Sequence, residues 1–151
     1  MQVFIIGSPF ETAKVLDKRR LNKQIIECHQ ILDALNGKKA WSNHPCVLQY
    51  KEHKEWLELY TYCLEDYFTS KRYSNASDLL YLAKEWSERA FECKPDFHTE
   101  EYFNQMKRRL YTKDKLFYKQ WEDLGESDVN WYFVGNEWKY YKNGKQTNLV
   151  K

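Results

Sequence analysis

Residues 17–35 read DKRRLNKQIIECHQILDAL, and the spacing of their apolar side chains decides the fold class. Leu21, Ile25, Cys28, Leu32 and Leu35 recur at steps of four, three, four and three, the repeat of one buried helical face. That helix starts at Asp17 or Lys18, and Asn36-Gly37 supplies its stop. Upstream, residues 1–6 read as a short extended segment and Gly7-Ser8-Pro9 as a turn. Downstream, a loop leads to Pro45, suited to a first helical position, and Tyr50, Leu57, Tyr60, Leu64 and Tyr67 mark a stripe running to about Phe68. A third helix is expected over residues 74–91, with Leu79, Ala83, Trp86 and Ala90 inward. Thr99 can cap a fourth that buries Tyr102, Met106 and Leu110, and residues 113–121 form a shorter helical piece.

The period then changes. Residues 130–150 carry β-favouring aromatics divided by Gly135-Asn136 and Asn143-Gly144, the second a strong type I′ hairpin signal. The fold expected is one mainly α domain over residues 1–151: a compact helical core at about 9–121 and a small C-terminal antiparallel β meander.

Composition narrows the classes further. The 151 residues include 24 Lys and Arg against 22 Asp and Glu, which excludes a polycation or an acidic tail. No run approaches the 18 or so apolar residues a membrane helix needs, and residues 1–10 lack a basic leader, so a cytoplasmic protein without membrane contact is expected. Cys28, Cys46, Cys63 and Cys93 form no CxxC, and His29, His44, His53 and His98 form no HxH or HExxH. Reduced thiols, no metal site and no cofactor are therefore expected. The unusual feature is 17% aromatic residues.

The near-neutral total hides segregation. Residues 14–23 hold five cations and one carboxylate, residues 107–119 six and one, while residues 85–101 hold six acids and two bases. Basic faces with an acidic back suit a polyanion gripped from one side. On the long helix, Arg20, Lys23, Gln24 and Glu27 share one face: cations and an amide for phosphates, and a carboxylate for proton transfer. Ile31, one turn beyond, can desolvate Glu27 and raise its pKa, while the cations lower it. In Trp41-Ser42-Asn43-His44-Pro45, Asn43 or His44 can hydrogen-bond a phosphate or base, and Trp41 is a stacking platform. Trp138, Tyr140 and Tyr141, interleaved with Lys139, Lys142 and Lys145, are further stacking candidates, and His98, just before Thr99, is a further polar candidate.

Val15-Leu16-Asp17, Arg20-Leu21, Lys23-Gln24, Glu27, Ile31-Leu32 and Ala34-Leu35, followed by Trp41 and Asn43-His44-Pro45, resemble the pyrimidine-dimer DNA glycosylase (phage endonuclease V-like) family in its broad phage and bacterial branch. The likeness covers roughly residues 1–67; beyond that it rests on His98, Arg109-Leu110, Lys113 and an aromatic, lysine-rich tail. It implies a helical protein that bends damaged duplex DNA and cleaves a glycosidic bond. In that family an N-terminal α-amine attacks C1′, a helix glutamate assists, and the Schiff base allows β-elimination at the abasic site. Carried over, the glutamate falls on Glu27, the amine on Met1, and a phosphate-gripping pair on Arg109 and Lys113. The basic stretch of the long helix adds Arg19, Arg20, Lys23 and Gln24 as candidate nucleic-acid contacts. An α-amine (pKa about 7.7–8.0) offers far more free base near neutrality than lysine (about 10.4).

This sequence departs from the family in places. Gln2 stands where characterised members expose a small residue, and its bulk disfavours removal of Met1. Ile26 and Gln30 replace arginines, and Arg20 replaces a histidine. Three functions are thus compared: a glycosylase with abasic lyase activity on damaged or modified pyrimidines in duplex DNA; a nucleotide-binding or nucleotide-processing protein using the same pocket; and a non-catalytic nucleic-acid or protein-binding module built on the 131–141 aromatics.

Overall fold

The computed structural model describes residues 1–73 and 76–148. Among them run six α-helices, one 3-10 helix and a three-stranded antiparallel sheet at the C-terminal end, the mainly helical class read from the sequence.

The first difference is a helix, α1 (Pro9–Val15), where only a turn was expected. Ser8 and Pro9 are its start signal: the Ser8 hydroxyl accepts the Glu11 N–H at 3.1 Å, and proline sits in the first turn, where its missing N–H costs nothing. The long helix α2 (Lys18–Leu35) has the expected bounds and ends before Gly37, whose φ is 109°. Its buried face, however, is Leu21, Gln24, Cys28, Ile31 and Ala34, while Ile25, Leu32 and Leu35 are only partly covered. The face is rotated toward Gln24 because residues 1–6 lie along that flank. The Gln24 side chain donates to the Gln2 carbonyl at 2.9 Å and accepts the Phe4 N–H. Ile31 is fully buried in the core rather than beside a solvent-facing Glu27.

The stripe expected to run unbroken from Pro45 is two helices, α3 (Pro45–Gln49) and α4 (Lys54–Arg72). Residues 51–54 are Lys, Glu, His and Lys, so nothing apolar holds that turn to the core. The break instead lets Tyr50 stack on Trp56, ring centroids 5.6 Å apart, with its hydroxyl 2.8 Å from His98 Nε2. Helix α5 (Ser77–Glu92) follows; the expected start at Ser74 lies outside the described residues. Helix α6 (Glu100–Lys113) is capped by Thr99, whose hydroxyl accepts the Tyr102 N–H at 3.2 Å. The helix expected over 113–121 is instead a turn, in which Asp114 accepts the Phe117 N–H at 3.0 Å, followed by a 3-10 helix (Lys119–Leu124).

The sheet is β1 (Asn130–Val134), β2 (Glu137–Lys142) and β3 (Lys145–Thr147), with Trp131 opposite Tyr140 and Phe133 opposite Trp138. Both connections have two central residues at positive φ: Gly135 and Asn136 at 62° and 61°, Asn143 and Gly144 at 52° and 77°. Leu149 and Val150, the end of the expected meander, lie outside the described residues. Cys28, Cys46 and Cys63 are buried, Cys93 is half-buried, and all four are free thiols. No helix among the described residues is long and apolar enough to cross a membrane.

Candidate active site

A cavity of about 100 Å³ opens where the N-terminal segment, α2 and α6 meet, lined by Met1, Arg20, Lys23, Glu27, Arg109 and Lys113 together with Gln2, Phe4, Gln24 and Asn130. Two segments about ninety residues apart in sequence thus supply its cations: α2 carries Arg20 and Lys23, and α6 carries Arg109 and Lys113.

Glu27 is the carboxylate of this cavity, its side chain only 15% exposed. One oxygen accepts the Gln2 backbone N–H at 3.0 Å, and the other lies 3.8 Å from the Lys23 ammonium. The residue after Met1 is therefore bonded directly to Glu27. Met1 itself is held by its carbonyl, which accepts the Tyr132 hydroxyl from β1 at 2.9 Å.

The cations are positioned by structure around them. Arg20 pairs with Asp17 at 3.1 Å and reaches the Lys113 carbonyl at 3.5 Å, joining the two helices. Asp17 in turn accepts the Tyr118 hydroxyl. Burial would raise the Asp17 pKa, but Tyr118 and Arg20 together hold it below the usual carboxylate value. Arg109 donates to the Ser127 carbonyl at 3.1 Å, and its buried Nε has no hydrogen-bond partner among the described residues. Desolvation, followed by the neighbouring Arg109, Lys23 and Arg20, keeps the Lys113 ammonium below the ordinary lysine value, with Glu27 opposing. Four cations around one carboxylate in so small a space suit a phosphorylated ligand.

The other expected site residues fall in different places. Gln24 borders the cavity, but it is 2% exposed and its amide is bonded to Gln2, Phe4 and Tyr60. It holds the N-terminal segment rather than presenting a free amide. His44 caps α3: its Nδ1 accepts the Cys46 N–H at 3.0 Å, leaving Nε2 as the ring's other polar atom. Burial and then the N-terminal ammonium push the His44 pKa down, which sets this imidazole near Met1. Trp41 is exposed with φ at 66°, edge-on to His44, and Asn43 is exposed beside it. Arg19 is exposed and lies outside the cavity, in a separate hollow with Lys18, Asn22, Phe68 and Arg72.

Two of the expected stacking platforms are spent on packing. Trp138 lies against Tyr102, Phe133 and Trp131, with centroids 5.3, 5.1 and 5.7 Å away, and ties the sheet to α6. Tyr140 sits edge-on to Trp131 at 5.5 Å. His98 is buried among Tyr50, Trp56, Phe97 and Tyr102, away from the cavity, and desolvation drives its pKa well below the ordinary value. Tyr132, Asn130 and Gln2 were missed as site residues. Tyr132 bonds Met1 across 131 positions, and no local pattern signals a pairing so distant.

Comparison with known proteins gives the class. The pattern of the pyrimidine dimer DNA glycosylase family matches residues 1–81, the part that supplies Met1, Arg20, Lys23, Glu27 and His44. That is more than half of the 151 residues, and the chain belongs to this family. No curated protein and no solved structure matches the chain.

Proposed function

We propose that the protein is a DNA glycosylase with abasic-site lyase activity, acting on damaged or modified pyrimidines in duplex DNA. The observation that carries this reading is the Glu27–Gln2 hydrogen bond at 3.0 Å, which ties the N-terminus to the one carboxylate of a cavity otherwise ringed by cations. In this reading the Met1 α-amine attacks C1′ of the extruded nucleotide, and the glycosidic bond breaks with its electron pair leaving on the base. Glu27 stabilises the positive charge developing on the sugar and takes the proton released from the attacking nitrogen. Ring opening gives an imine, and loss of the C2′ proton expels the 3′ phosphate. Arg20, Lys23, Arg109 and Lys113 hold the flanking phosphates, and Trp41 fills or stacks on the opened site.

The test is borohydride trapping on duplexes carrying a pyrimidine dimer, an abasic site or a modified pyrimidine. A covalent adduct on any of them, mapped by mass to the Met1 peptide, is expected. Absence of both adduct and strand cleavage on the whole panel rejects the reading. A role based on the meander aromatics has less to stand on, because Trp131 is buried and Trp138 packs against it.

A further inference from the structure

Five cations lie together outside the cavity. A groove of about 510 Å³ between α1, α2 and α4 is lined by Lys14, Lys18, Lys71 and Arg72 over Leu21 and Phe68. An adjoining hollow of about 470 Å³ shares Lys18, Phe68 and Arg72 and adds Arg19 and Asn22. No acidic side chain lines either one, and none of the five cations has an ion-pair partner among the described residues. The cavity cations Arg20 and Lys23 differ, each sitting near a carboxylate. Leaving five like charges close together and unneutralised on an otherwise ordinary helical surface is unfavourable unless an anion comes to it.

The groove and the cavity share no lining residue, and the exposed face of α2 lies between them. At about 100° per residue, Lys18, Asn22, Arg19, Lys23 and Glu27 follow one another around α2 in steps of roughly 40–60°. They form a stripe that winds half-way around the exposed side of α2, from Lys18 at the groove to Glu27 at the cavity. Lys18 and Glu27 are nine residues apart, or about 13 Å along the axis, the rise of about four base pairs of duplex.

We propose that this groove seats the sugar–phosphate backbone of the same duplex, about four nucleotides to one side of the nucleotide held at Glu27. The proposal rests on the reading of the cavity as a DNA glycosylase site, and it adds a second grip that sets which flank of the lesion the protein covers. Repeating charge at a fixed spacing on a duplex backbone suits unpaired cations on three rigid helices. The apolar floor of Leu21 and Phe68 suits the sugar edges between phosphates.

The test compares the wild type with a variant carrying K14Q, K18Q, K71Q and R72Q, four exposed positions outside the catalytic cavity. The probe is a duplex with a single abasic site, bound across a salt titration and trapped with borohydride at saturating protein. The expected result is an unchanged thermal melt and an unchanged trapped yield, with the magnitude of the log–log salt slope lower by at least about 1.8, two phosphate contacts at roughly 0.9 each. Shortening the duplex to three base pairs on one flank should weaken the wild type and leave the variant unaffected, while shortening the other flank should not distinguish them. An unchanged salt slope, or equal sensitivity of wild type and variant to both flanks, overturns the groove alone. Failure of the wild type to bind or trap any duplex overturns the cavity reading and the groove with it.

Discussion

The Glu27 carboxylate accepts the backbone N–H of Gln2 at 3.0 Å, across 25 residues of sequence. Together with the Tyr132 hydroxyl on the Met1 carbonyl, this bond anchors the first two residues from opposite sides. The N-terminus is thus part of the site's rigid wall, and its amine is placed by backbone contacts rather than by a flexible side chain.

Glu27→Gln keeps an acceptor for the Gln2 N–H but removes the base and the negative charge. Trapping and strand-cleavage rates should fall by about 10²–10⁴-fold, the usual worth of positioned proton transfer. Duplex affinity should hold or tighten slightly, because one anion has left a cavity lined by four cations. The melt should move little. A variant that retains wild-type cleavage removes Glu27 from the chemistry.

Gln24→Ala separates a structural amide from a ligand-binding one. The substitution strands the Phe4 N–H and the Gln2 carbonyl, each bonded to Gln24 in the native fold. An unpaired buried group costs about 1–3 kcal/mol, so the urea midpoint should drop clearly. Catalysis should fall with it, because the same bonds hold the segment that carries Met1. Unchanged stability with weakened DNA binding would return Gln24 to the ligand-contacting set.

The contrast between Glu27 and Gln24 shows what was legible in the sequence. Helical periodicity placed Arg20, Lys23, Gln24 and Glu27 on one side of α2, and the structure keeps them together at the cavity. Periodicity could not reveal that residues 1–6 bond and cover Gln24, or that Ile31 is buried while Ile25 and Leu32 are half-covered. The tail's turns were legible for a local reason, since Asn and Gly adopt positive φ cheaply. The uses of its rings were not: Trp138 and Trp41 look alike among polar neighbours, and only tertiary packing shows that one ties sheet to helix while the other stands in solvent.

Those two tryptophans should respond oppositely to truncation. Trp41 is 53% exposed at a φ of 66°, a conformation that costs a bulky side chain about 1–2 kcal/mol and glycine almost nothing. Trp41→Gly should therefore leave stability unchanged or raise it by up to about 1 kcal/mol, after the entropy glycine adds to the unfolded chain. Its loss of base stacking should weaken binding to lesion duplexes by about 1–3 kcal/mol. Trp138→Ala should instead destabilise the fold by about 3 kcal/mol, because its ring joins β2 to Tyr102 of α6. Parallel melts and binding curves check both, and equal destabilisation by the two changes contradicts the assignment.

His98 sets the acid side of the stability profile. Desolvation, then Lys94 and His53, hold its folded-state pKa well below the ordinary 6.5, so the native ring stays neutral while the unfolded one takes a proton near that value. Below pH 6.5 the unfolded chain therefore binds more protons, and stability falls with pH; above 6.5 this group contributes no slope. The limiting loss from one such histidine is about 1.4 kcal/mol per pH unit. His44 and His53, also shifted down by burial, add to it in the same direction. His98→Phe leaves the Tyr50 hydroxyl without its partner and should be less stable at pH 7, yet its stability should decline less steeply from pH 6.5 to 5 than the wild type's. Urea unfolding at half-unit steps through that window measures both slopes, and equal slopes would mean that the buried ring is not the group resisting protonation.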